Sequence, residues 1–133
     1  MKYKLLLITV LLSLHSVAQE TFVVTGNDHY FEPDTIYTNV GDTIRLFSNG
    51  YHSITELDSL DWVNNTATDN GGFWVGVGSS ISDDWFVVSQ EGKYYFNCNP
   101  HATMGMKGVI YVSAALGTEN TVSSLHLLII LVY

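Results

Sequence analysis

Tyr94-Tyr-Phe-Asn-Cys-Asn-Pro-His-Ala-Thr-Met-Gly-Met-Lys-Gly-Val-Ile110 places the chain's only cysteine, one histidine and two methionines on a short loop between two apolar runs. A thiolate, imidazoles and a weak thioether are the donors of a blue-copper electron-transfer centre, and Cys98, His101 and Met106 supply three of the four such a centre needs. The spacing Cys-x-x-His-x-x-x-x-Met keeps them close enough for one tight turn, with Pro100 and Gly105 as turn formers, to fold them around one ion. A second histidine has to come from elsewhere. His52, in Asn49-Gly-Tyr-His-Ser-Ile-Thr-Glu56, is the best remaining donor.

The stretch Tyr95-Phe-Asn-Cys-Asn-Pro-His-Ala-Thr-Met-Gly-Met106 resembles the copper loop of small cupredoxins of the plastocyanin and pseudoazurin kind. The resemblance extends across residues 20 to 114: Phe31-x-Pro33, then Val40-Gly-Asp-Thr-Ile44, then His52, then Cys98 follow the order and approximate spacing of that family. It implies a Greek-key antiparallel β-sandwich, one blue-copper ion, and His52, Cys98, His101 and Met106 as its ligands. One departure is visible. Ser53 stands where many members carry an asparagine whose amide ties the two ligand loops together.

Other donors rank lower. His29 follows a turn, Gly26-Asn-Asp28, and is expected to be solvated; His126 lies near the C-terminus and His15 near the N-terminus. Met104, two residues from Met106, is the rival for the axial position and is otherwise expected to join Pro100 and Ala102 in an apolar rim around His101, where partners dock in this family. Ser53 and Asn99 are the candidates for orienting a ligating imidazole through its other ring nitrogen.

The 133 residues fit one domain. Met1-Lys-Tyr-Lys4, the apolar run Leu5 to Leu14 and the small-residue end Ser16-Val-Ala18 read as a signal peptide over residues 1–18, cut before Gln19, with the copper domain over 19–115. The leader's apolar run of ten residues or so is short of the roughly 20 that span a bilayer. The chain is therefore expected to be exported, periplasmic or secreted, without a membrane span after cleavage, and monomeric. Residues 116–133, a polar linker and the run Leu125-His-Leu-Leu-Ile-Ile-Leu-Val-Tyr133, have no assigned role.

Cleavage leaves Arg45, Lys93 and Lys107 against thirteen acidic residues, a formal charge of about −10. Such a surface repels phosphate backbones, which excludes nucleic acid, and steers basic partners such as a cytochrome-like redox protein. A lone cysteine in an oxidising compartment closes no internal disulfide, and metal ligation would occupy it.

Along the chain, short β-branched runs alternate with turns at intervals of roughly ten residues, and no amphipathic helix interrupts them. Pro33 marks an edge or a switch between sheets. Leu57 to Gly72 reads as loop with one helical turn, and Trp85-Phe-Val-Val88 with Lys93 to Asn97 as a hairpin. A filled Cys/His/His/Met site favours electron transfer rather than enzymatic turnover. A copper carrier or buffer would use the same ligands. Multicopper oxidase chemistry lacks histidines here, since Asn97 and Asn99 flank the cysteine, and a cysteine hydrolase gives Met106 no role.

Overall fold

In a computed structural model, which describes residues 18–78 and 82–115, alternation of apolar and polar residues builds nine strands and very little helix. In β4 (Thr43–Ser48), Ile44 and Leu46 are buried while Arg45 between them is exposed, as a pleated strand over a core requires. The same period runs through β1 (Thr21–Asn27) and β3 (Thr35–Asn39), whereas in the central strand β9 (Lys107–Ser113) Gly108, Val109 and Ile110 are buried in succession. The remaining elements are β2 (Tyr30–Glu32), β5 (Ile54–Leu57), the short helix α1 (Ser59–Asn64), β6 (Trp74–Val75), β7 (Ser82–Val87) and β8 (Gly92–Asn97).

The strands form two sheets, β2-β1-β4-β7 and β3-β9-β8-β5-β6, with the core between them. Val24, Ile44 and Leu46 from the first face Ile36, Ile54, Phe96 and Ile110 from the second, all essentially enclosed. Burying each such side chain contributes roughly 1.5–3 kcal/mol, so apolar packing carries the fold whether or not a metal is bound.

The expected β-sandwich is present, with two differences in detail. Pairing is not wholly antiparallel: β1 runs parallel to β4 and β3 parallel to β9. The expected hairpin is also corrected, because β7 pairs with β4 in one sheet whereas β8 pairs with β5 and β9 in the other. The turn at Gln90 to Gly92 therefore crosses between the layers, and Gly92 takes a φ of 144° that disfavours other residues. At Pro33 the chain switches sheets, from edge strand β2 to edge strand β3. The loop after β5 holds its one helical turn at α1. Residues 1–17 of the expected leader and the whole 116–133 tail lie outside the described residues. Among the described residues no helix is long and apolar enough to cross a membrane.

Asp42 pins three strand ends together. Its buried carboxylate accepts hydrogen bonds from the Glu20 N–H at 2.9 Å, the Thr38 hydroxyl at 2.7 Å and the Asn39 N–H at 2.9 Å. Burial alone would raise its pKa, but these three donors together outweigh burial and hold it below the ordinary value. A depressed folded pKa stabilises the fold above the unfolded value, near 3.9 or so, and the benefit is lost as pH falls through the folded value. Asp42→Asn is expected to lose roughly 2–3 kcal/mol at pH 7. Urea melts at pH 7 and pH 3 should show the gap to wild type narrowing in acid.

Candidate metal centre

The centre forms at one end of the sandwich, where the segment between β4 and β5 meets the loop between β8 and β9. Cys98 follows β8, and residues Asn99–Met104 coil as one 3₁₀ stretch, with Pro100 in its first turn and Gly105 closing it at φ 83°. Four hydrogen bonds close the loop on itself: Cys98 N–H to Met106 O at 3.0 Å, His101 N–H to Cys98 O at 2.9 Å, Gly105 N–H to Ala102 O at 2.9 Å, and Met106 N–H to His101 O at 3.3 Å. The expected turn chemistry is thus what brings the Cys98 and Met106 backbones together.

His52 arrives from the other segment. The Ser48 hydroxyl donates to the His52 carbonyl at 2.5 Å and accepts from the Gly50 N–H at 3.3 Å, which folds the chain back so that the imidazole enters the interior. Gly26 of β1 lies beneath it; a Cβ there would stand 3.1 Å from His52 Cβ. This close approach is a role for Gly26 that no motif announced.

Three donor atoms converge. His52 Nδ1 lies 3.2 Å from His101 Nδ1 and 3.8 Å from Cys98 Sγ, and His101 Nδ1 lies 3.3 Å from Cys98 Sγ. Among the described residues this is the one cluster of three or more such ligating groups. An ion with nitrogen donors at about 2.05 Å and a thiolate at about 2.3 Å, at angles of roughly 100–120°, requires N···N separations near 3.1–3.6 Å and N···S near 3.3–3.8 Å. The observed triangle matches that size. Cys98 is fully buried and His52 nearly so, while His101 is half-buried.

The electrostatics suit a ligand role as well. Burial first, then the neighbouring His101 and His29, push the His52 pKa below its ordinary value, with Asp28 opposing. A neutral imidazole keeps the lone pair that a metal takes. The two methionines separate clearly: Met106 is fully buried within the same core cluster as Cys98, whereas Met104 is 60% exposed. Ala102 of the expected apolar rim is buried and Pro100 exposed.

Ser53 answers the departure noted in the sequence. Its buried hydroxyl accepts the Asn99 N–H at 2.7 Å, so the residue after His52 is tied to the residue after Cys98 by a shorter side chain. Below the loop, Asn97 and Lys107 pair across β8 and β9. Asn97 Nδ2 donates to Thr66 O at 2.7 Å, and Lys107 Nζ donates to Trp62 O and Asn65 Oδ1, both at 2.8 Å. The α1 segment thereby braces both ends of the loop. His29 lies outside the donor triangle and is exposed, yet its ring touches that of His101.

Comparison with known proteins agrees with this construction. The family model for copper-binding proteins of the plastocyanin/azurin family matches residues 18–113. A pseudoazurin structure from Sinorhizobium is 24% identical over 71% of this chain and 75% of its own, with a TM-score of 0.50. A purple cupredoxin from Nitrosopumilus maritimus is 19% identical over 68% of this chain and 98% of its own, with a TM-score of 0.52. At such identities these two likenesses speak to the fold. None of the curated protein sequences compared is a significant match. The family match spans nearly all of the described sandwich, and the donor set suits one blue-copper ion; the chain belongs to the plastocyanin/azurin family of copper-binding proteins.

Proposed function

We propose that the protein shuttles single electrons between exported redox partners, with copper held by His52 Nδ1, Cys98 Sγ, His101 Nδ1 and the Met106 thioether. The family's general chemistry is electron transfer at blue copper rather than enzymatic catalysis. The observation that carries the reading is the ion-sized triangle of one thiolate and two imidazole nitrogens beside a buried methionine. Copper, when bound, supplies a one-electron couple. The chain's own residues do the rest: the closed loop and the Ser53 tie fix donor positions, which limits rearrangement between oxidation states, and the buried Cys98 and Met106 keep bulk water away. His101, the one of the three converging donors that is only half-buried, is the route out of the site in this reading. Addition of Cu(II) to the purified mature domain should give an intense blue colour at one equivalent; a colourless complex would sink the proposal.

Met106 would supply the thioether donor, since it is buried whereas Met104 is largely exposed. The axial ligand tunes the reduction potential. Met106→Gln should lower the potential measured by voltammetry, while Met104→Gln should leave it nearly unchanged. The reverse ranking would reassign the axial role.

The acidic surface fits a basic, cytochrome-like partner. Asp58 and Asp84 are exposed, Asp61 half-buried, and Asp83 is ion-paired with Arg45, so its steering contribution is reduced. Stopped-flow reduction by a basic cytochrome should slow steeply between 0.01 M and 0.1 M salt or so, as the Debye length contracts from roughly 30 Å to about 10 Å. A salt-independent rate would remove the steering. Export to the periplasm or outside the cell belongs to this reading: the sequence of residues 1–18 supports a leader, and export suits a lone ligating cysteine. The alternative, a periplasmic copper carrier using the same ligands, predicts slow reduction with ready copper loss to a competing apoprotein.

A further inference from the structure

The geometry points to His29 as a positioning residue that holds the His101 imidazole in its coordinating orientation. The inference rests on the copper reading above. His29 sits on the turn between β1 and β2, beside Asp28 at a φ of 27°, on the sheet opposite the one that carries the Cys98 loop. Its ring meets the His101 ring edge to face, with centroids 4.8 Å apart and planes at 80°. The His52 ring contacts the same imidazole, with centroids 5.0 Å apart and planes at 51°. His101 therefore has one imidazole beside it in the interior and a second, exposed one at the surface.

The loop does not fix this side chain by itself. Its hydrogen bonds hold the His101 N–H and carbonyl, which sets the backbone but leaves the side-chain torsions to packing. A half-exposed imidazole has alternative rotamers that point into water, and each one removes Nδ1 from the triangle. The edge-to-face contact favours the inward rotamer. Aromatic pairs of this kind bias such an equilibrium by roughly threefold to tenfold. His29 thus preorganises the one ligand that is not enclosed, before copper arrives and while it is held.

Two measurements on the intact mature protein test the assignment, with His29→Ala and His29→Phe beside wild type. In the apoprotein, NMR signals of the His101 ring should report a single orientation in wild type and in His29→Phe, and exchange between orientations in His29→Ala. In the copper-loaded, reduced protein, transfer of Cu(I) to bicinchoninate should be about three to ten times faster for His29→Ala. His29→Phe, which keeps the ring and loses the nitrogens, should stay near the wild-type rate. Because His29 is exposed, thermal melts of the apo variants should coincide, separating loss of orientation from loss of fold. His29→Ala behaving as wild type in both measurements would overturn the inference. His29→Phe losing copper as fast as His29→Ala would also overturn it, by assigning the effect to a ring nitrogen instead of packing. A wild-type protein that forms no coloured copper complex would sink the copper reading instead, while the apoprotein NMR would still test the ring contact.

Discussion

Cys98→Ser is expected to abolish the blue colour of the copper-loaded protein completely while leaving the sandwich folded. The colour would arise from charge transfer out of a thiolate, and a serine hydroxyl offers neither the soft donor nor the low-energy electrons. The fold should survive because Cys98 contributes little of the apolar surface; Phe96, Ile44, Leu46, Ile54 and Ile110 enclose the core around it. The local cost is further limited, since the Cys98 sulfur already faces two imidazole nitrogens that a serine oxygen can hydrogen-bond. A visible spectrum after Cu(II) addition and a thermal melt of the apoprotein test the two halves separately. Retained colour would exclude Cys98 as the thiolate ligand. Collapse of the apo fold would mean that the cysteine is chiefly a packing residue.

The donor loop was legible in the sequence because its chemistry is local. Cys98, His101 and Met106 lie within nine residues, and Pro100 and Gly105 signal the turn that closes them. His52 was legible by donor type, as the best imidazole left once the loop had supplied three donors. What stayed hidden depends on contacts distant in the chain. Nothing near His29 indicates that its ring meets a residue 72 positions later, because the contact is set by how the two sheets face one another. Ser53 appears in the sequence only as a missing asparagine, whereas its bond to Asn99 needs the distance between the two loops. The turn at Gln90 to Gly92 misled for a related reason: short turn signals look alike whether the next strand pairs with the last or crosses to the other layer. Periodicity reports which face of a strand is buried and carries no information about which strand lies beside it.

Gly108→Ala is expected to be the most damaging single-methyl addition to the sandwich. Gly108 pairs with Phe96 across β8 and β9, and the Phe96 ring lies over it. A Cβ at this position would stand 2.3 Å from Phe96 Cζ and 2.5 Å from the Asp34 carbonyl oxygen. Relief through the ring is difficult because Phe96 is wholly enclosed and in contact with Phe31 and Phe73. Relief through the backbone is no easier, since the Asp34 carbonyl accepts the Val109 N–H at 2.8 Å and the Gly108 carbonyl accepts the Trp62 indole N–H at 2.8 Å. Overpacking of this kind costs about 3 kcal/mol. For a domain of this size that corresponds to a fall in Tm of roughly 12–24 °C. Gly78→Ala serves as the control, because a Cβ there meets nothing within 4 Å among the described residues and its melt should match wild type. A Gly108→Ala melt that coincides with that control would show that the sheets separate locally at little cost. If instead Phe96 yields, its displacement passes through Asn97 to Cys98, and the copper-loaded variant should show a shifted visible band as well as a lower Tm.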